Sequence, residues 1–345
     1  MTLRQNMKEI QEMKDIQLMK AVRVGRAGGP EVLELVDLPR PSPGAGQVLV
    51  RLAAAGVNYI DVYLRSGLYP AELPFVPGQE GAGTVVETGP GVGPGAGGVA
   101  VGDVVAWANL PGAYAQYALI DADRLVPVPD GLAPEQAAAA LLQGMTAHYL
   151  CHDTYPVQEG DTVVVHAAAG GVGMLLTQLA VARGATVVGT ASTAAKAQAA
   201  RAVGATEVVD YRPGALLEAV RRHSGGIGAA AVYDGIGGPT FDEGLAALRP
   251  RGVLAVYGQA GGAVPPVDLQ RLNAAGSVYV TRPNLVHHIQ DRAELLHRGT
   301  AVLELVRDGH LDVRIEQRYA LSEAADAHAA LEARTTLAKT LLICD

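Results

Sequence analysis

The chain has 345 residues, enough for two domains with cores of their own, and a composition of 49% hydrophobic and 18% charged residues excludes a disordered protein. A net charge of -8 without any basic run argues against nucleic acid as the main partner, and two cysteines are too few for a disulfide framework. No apolar segment is long enough to span a bilayer, so the expectation is a cytoplasmic protein of a reducing compartment.

Residues 1–19 are rich in Met, Gln, Lys and Glu and read as a flexible N-terminal extension. Glu9, Glu12 and Asp15 do not suit a mitochondrial presequence, and there is no apolar stretch of the kind a secretory signal needs. From Ala21 to about Gln143 short apolar runs broken by Gly and Pro predict strands, as in 47–52 and 83–88, while the glycines between Gly89 and Gly98 predict a surface loop. A helical run from Pro134 to Leu142 then leads into an alternating region.

There the stretch from Thr162 to Gly173 reads as a buried strand, a glycine-rich turn and the start of a helix, the build of a dinucleotide pyrophosphate site. Gly170 and Gly171 let backbone amides approach phosphate, Gly173 lets helix and strand pack closely, and the helix N-terminus attracts negative charge. Further strands are predicted at 186–190, 207–211, 229–234, 252–257 and 277–281, giving a doubly wound parallel sheet of six strands with ligands at the C-terminal strand ends. Gly235, Gly258, Gln259, Thr281 and Arg282 stand at strand tips and are candidate cofactor contacts. An NAD site carries an acid about 20 residues past the fingerprint. No acid occurs between Gly173 and Glu207; Ser192, Thr193, Lys196 and Arg201 stand there instead, and hydroxyls with cations suit a 2′-phosphate. The expected cofactor is therefore NADPH.

Gly28 to Leu33, Gly56 to Asp61, Arg65 to Tyr69, Pro77 to Gly83, the turn 167–173 and the run Tyr279 to Pro283 together resemble the zinc-free NADPH:quinone oxidoreductases, the zeta-crystallin-like branch of the medium-chain dehydrogenase/reductases. The resemblance covers nearly all of residues 20–345. It implies an α/β architecture: a Rossmann domain at 142–282, and a mainly β, GroES-like catalytic domain built from 20–141 and 283–345. It further implies Asn58, Tyr63 and Tyr69 at the acceptor, with Tyr59 and Asp61 helping to place the nicotinamide. On the cofactor side it implies Thr146, Gly171 and Val172, Ser192 and Lys196 at the 2′-phosphate, Tyr211 against the adenine, and Tyr257, Gly258, Thr281, Arg282 and Arg334. Where the zinc alcohol dehydrogenases hold their catalytic metal, this chain has Asn58, Gln79 and the segment Gln143-Gly144, neutral amides that are poor zinc ligands. His148, Cys151 and His152 could share a helix face, but packing explains them adequately, and no metal is expected.

A metal-free site suits a quinone, whose reduction needs orientation and polar donors and no Lewis acid. Asn58 is expected to donate its amide to developing charge. The chief alternative is a reductase of enals, enones or enoyl thioesters; less favoured is a crystallin-like or RNA-binding role. The strand 277–281, lying at a sheet edge, invites pairing into a homodimer.

Overall fold

The computed structural model describes residues 17–93 and 98–344, so segment 1–16 and the part of the glycine-rich loop around Gly95 lie outside the described residues. The first element of the described residues is β1 (Leu18–Val24), which pairs antiparallel with β2 (Leu33–Pro39). Leu18 and Met19 therefore belong to a strand and not to the extension: they register with Pro39 and Leu38, and Met19 is buried against Ala21 and Ala115.

Next come β3 (Gln47–Gly56), helix α1 (Tyr59–Arg65), β4 (Glu80–Thr88), β5 (Val104–Ala108), β6 (Tyr117–Asp121), β7 (Val126–Pro127) and α2 (Pro134–Tyr149). Helix α2 runs well past the predicted Leu142, because Ala137 to Leu141 and Met145 to Tyr149 are all buried, and it closes in a π-helical turn, Leu150–Thr154. Tertiary packing supports a length that composition alone did not mark.

The alternating region forms β8 (Thr162–Val165), α3 (Gly171–Ala182), β9 (Thr186–Thr190), α4 (Ala194–Ala202), β10 (Glu207–Val209), α5 (Ala215–His223), β11 (Ala229–Asp234), α6 (Gly238–Ala247), β12 (Leu248–Val256), α7 (Gln270–Ala274) and β13 (Tyr279–Thr281). The six strands are all parallel, in the order β10-β9-β8-β11-β12-β13, so the chain reverses direction across the sheet between β8 and β11. That switch point opens the crevice where such sheets bind ligands. Central β8 is buried along its whole length, which its unbroken Thr-Val-Val-Val requires: with helices on both faces there is no solvent side for a polar residue. Each fully buried valine contributes roughly 1.5–3 kcal/mol.

After α8 (Arg292–Arg307) come β14 (Ile315–Ala320), α9 (Ala324–Glu332) and β15 (Lys339–Ile343). The last two strands return to the second large sheet, seven-stranded, in which β14-β15-β3-β4-β5-β7 form a path and β6 pairs with β3. Strand β15 escaped the sequence reading because it opens on a lysine. Its backbone binds both sheets together: Ala338, in the left-handed region at φ 53°, donates its N–H to the Ala169 carbonyl at 3.1 Å, and Thr340 O accepts from Val57 N–H at 3.0 Å.

Candidate active site

The turn between β8 and α3 is compact. A Cβ on Gly173 would collide with the Ala167 carbonyl and stand 2.9 Å from Ala168 Cα, so only glycine permits this approach of helix to strand. The first N–H groups of α3 have no partner within the helix and open onto the switch point beside Gly170, Gly171 and Val172, an anion site by geometry. Thr190, at the tip of β9, takes the Ala167 N–H (3.2 Å) and donates to the Tyr211 hydroxyl (3.0 Å), which fixes that ring over the turn. A Cβ at Gly189 would lie 2.8 Å from Ala168 Cβ, so no acidic side chain fits there.

Lys196 stands one turn into α4, with Thr193 capping the helix and Ser192 exposed before it. Its Nζ donates to the Arg334 carbonyl at 2.6 Å, while the Arg334 guanidinium reaches the Ala260 carbonyl at 3.2 Å. Burial and the neighbouring Arg334 cation both push the Lys196 ammonium below its usual range, the signature of two positive groups sharing a space that an anion would neutralise. Arg201 plays a different part: its guanidinium is spent on the Val208 carbonyl (3.0 Å), tying α4 to β10.

On the acceptor side Tyr59, Tyr63 and Tyr69 form a row, with ring centroids 6.1 and 5.2 Å apart. Tyr59 donates to the Leu331 carbonyl (3.0 Å). The Tyr63 hydroxyl accepts from Gln259 N–H (3.3 Å) just beyond β12, and the Tyr69 hydroxyl from Arg282 Nη2 (3.2 Å) just beyond β13. Both phenol oxygens are thus held by donors, and both phenol protons remain to be given. Burial pushes the Tyr63 phenol up to about 12, so it stays protonated at neutral pH. Gly235 and Gly258 face each other across the β11 and β12 tips beside Tyr257, and Thr281 precedes Arg282 at the β13 tip. Thr146 is buried, its hydroxyl donating to Leu142 O within α2 (2.8 Å).

Two expected roles are corrected. Asn58 cannot offer its amide to substrate, since Nδ2 already donates to Glu80 Oε2 (3.1 Å) and Gly56 O (3.2 Å), and Oδ1 accepts from Gln143 Nε2 (3.1 Å) and Lys339 Nζ (2.9 Å). Asp61 is fully buried. Its carboxyl closes a capping box on Asn58 N–H (3.0 Å), accepts from Gln79 N–H (3.0 Å) and meets the Tyr114 hydroxyl (3.3 Å). Burial pushes it up to about 7, against the pull of the Asn58 and Gln79 amides. It acts by anchoring α1, which carries Tyr59 and Tyr63.

Sequence reasoning missed the far side of this anchor. Tyr114 also meets His328 Nε2 (3.0 Å), whose Nδ1 lies 3.3 Å from Arg65 Nη1, and Arg65 pairs with Glu332 (2.7 Å). Because arginine only donates, Nδ1 of His328 is the acceptor and Nε2 carries the proton. No local pattern marks these residues, which meet across 214 and 263 positions. Burial, aided by the Arg65 charge, pushes His328 down to about 3. The unfolded chain binds this proton below about 6.5, so stability present above that pH is lost as pH falls toward the folded value, by about 2 kcal/mol at pH 5. Thermal midpoints measured at pH 5 and 7.5 should differ less in His328→Gln than in the wild type.

His148 and His152 stack with centroids 4.0 Å apart, and His148 Nδ1 lies 3.3 Å from Arg298 Nη1, so packing and hydrogen bonding account for them. Among the described residues no cluster of three or more His, Cys, Asp or Glu is arranged to hold a metal ion.

Comparison with known proteins places this geometry. The alcohol dehydrogenase GroES-like domain family matches residues 44–130, and the zinc-binding dehydrogenase family matches residues 171–297. The quinone oxidoreductase of Pseudomonas aeruginosa is 42% identical over 92% of this chain and 97% of its own length. The chain belongs to the quinone oxidoreductase family. The fold of this quinone oxidoreductase family member is accordingly a Rossmann unit joined to a GroES-like one. A mycobacterial structure complexed with NADPH aligns with a TM-score of 0.91 and 48% identity, covering 94% of this chain and 100% of that one. The 2-haloacrylate reductase of a Burkholderia species is 39% identical over 94% of this chain and 98% of its own. One matching family is named for zinc; the positions that the sequence resemblance assigns to zinc ligands carry Asn58, Gln79 and Gln143, and the amides of Asn58 and Gln143, poor zinc ligands, are bonded to each other.

Proposed function

We propose that this protein reduces quinones with NADPH and without a metal ion. The observation that carries the reading is the pair of phenols with protons to donate, set beside the Asn58–Gln143 amide pair at positions that the sequence resemblance assigns to zinc ligands. NADPH, when bound, supplies the hydride. The glycine turn and the α3 N-terminus bind its pyrophosphate, Ser192, Lys196 and Arg334 its 2′-phosphate, and Tyr211 its adenine. The tips at Gly235, Tyr257, Gly258, Thr281 and Arg282 confine the nicotinamide. Tyr63 and Tyr69 stack on the acceptor ring and donate O–H to its oxygens; Gln259 N–H and Arg282, bonded to the phenol oxygens, strengthen them as donors.

Steady-state NADPH oxidation with a benzoquinone and with a medium-length enal, each with and without a chelator, tests this. The quinone should be the better acceptor and the chelator should change nothing. Tyr63→Phe and Tyr69→Phe should each lower kcat/KM for the quinone by roughly tenfold, the value of a hydrogen bond to developing charge. Wild-type turnover in both would remove the phenols from the mechanism. The 2-haloacrylate reductase relative supports the second reading, an alkene reductase, and a preference for the enal would select it.

The unit that holds the acceptor comprises 20–141 and 283–345 in this proposal, and 142–282 holds the nucleotide. The free edge of β13, with Tyr279 61% and Val280 37% exposed, supports a homodimer built by edge pairing. Val280→Arg should then sediment as a monomer. Both cysteines are buried, in keeping with a cytoplasmic setting, and among the described residues no helix is long and apolar enough to cross a membrane.

A further inference from the structure

Lys339 brings a full charge into the head of a strand whose other four residues are uncharged. It is 2% exposed, and Glu80, its partner at 2.6 Å, is 0% exposed. Removing two ions from water costs about as much as their attraction returns, so such a pair is a poor stabiliser beside apolar side chains of the same volume. Its geometry points to another task. Lys339 Nζ also donates to Asn58 Oδ1 at 2.9 Å, and Glu80 Oε2 accepts from Asn58 Nδ2 at 3.1 Å. The ion pair therefore reads both ends of one amide, cation against carbonyl and carboxylate against NH2. A flipped Asn58 would set its NH2 against the ammonium.

The contacts continue on both sides. Asn58 is the N-cap of α1, the helix of Tyr59 and Tyr63. Glu80 Oε1 accepts Leu142 N–H at 2.6 Å, and the next residue, Gln143, bonds Asn58 and packs against Gly171, where α3 begins. Ala338, beside Lys339, holds Ala169 in the glycine turn. The charged pair thus sits where the acceptor helix and the phosphate turn meet; both residues are buried, and Lys339 lines a small cavity with Gln143 and Gly171.

We infer that Lys339, with Glu80, is a positioning residue for hydride transfer: it locks Asn58 in one orientation and so fixes the acceptor pocket relative to the nicotinamide site. The inference rests on the NADPH:quinone reductase reading. Lys339→Met/Glu80→Gln removes both charges together and avoids an orphaned ion. Three quantities are measured in wild type and variant: NADPH affinity by fluorescence titration, single-turnover NADPH oxidation by a benzoquinone, and hydrogen exchange of the Asn58 side-chain amide in ligand-free, asparagine-labelled protein. A positioning role predicts NADPH affinity within about threefold of wild type, a single-turnover rate lower by about tenfold or more, and faster Asn58 exchange. A rate lowered by less than about tenfold, NADPH affinity changed by more than about threefold, or unchanged Asn58 exchange overturns the inference. Should the double variant not fold, Lys339→Arg decides by the same thresholds, since it keeps the charge but cannot meet Glu80 and Asn58 from a single nitrogen. Wild-type protein that fails to oxidise NADPH with any quinone defeats the reading of function instead, while Asn58 exchange still reports on the lock.

Discussion

Lys196→Ala is expected to raise the KM for NADPH by roughly ten- to a hundredfold while leaving that for NADH nearly unchanged, the loss matching a charge-assisted hydrogen bond of about 1.5–3 kcal/mol. The side chain stands beside Arg334, and burial together with that second cation holds its ammonium below the usual range. A 2′-phosphate entering this space relieves the repulsion and desolvation at once. Arg334 remains in the variant, so binding should weaken without vanishing. Equal loss with both coenzymes would show that Lys196 supports the fold of α4 and does not read the phosphate.

Glu80→Ala should have the largest effect on stability. It removes the carboxylate that balances Lys339 and leaves an ammonium buried with only Asn58 as partner, a change worth about 3–5 kcal/mol. The thermal midpoint should fall by roughly 10 °C, or the protein should precipitate. Glu80→Ala/Lys339→Met should recover much of that loss, because the penalty lies in the unpaired charge and not in the missing bond. A single variant as stable as wild type would mean that water or a shifted side chain reaches the ammonium.

The Rossmann half was legible from sequence because its signals are local. Thr162 to Gly173 is a strand, turn and helix start within one short window, and each later strand is a β-branched or alanine-rich run of its own. The edge position of β13 followed from topology. The second half was harder to read, since its sheet is completed by β15, which opens on Lys339, and only the presence of Glu80, 259 positions earlier, makes a lysine acceptable there. Asn58 was legible as a residue of interest but not in its orientation, which depends on Glu80, Gln143 and Lys339 together. A lone lysine heading an apolar run was the available hint. Asp61 misled for a related reason: a carboxylate near a cleft motif looks available until Gln79 and Tyr114 are seen to claim it.

The last residues of α9 and the turn after it touch the Tyr59 hydroxyl through Leu331, Arg65 through Glu332, and Lys196 and Ala260 through Arg334. Coenzyme choice and acceptor choice therefore share one short piece of backbone and are not separable traits. An engineer who rebuilds this protein for NADH by changing residues around Lys196 should expect its preference among quinones to drift as well, and would do better to redesign both ends of that turn in a single library.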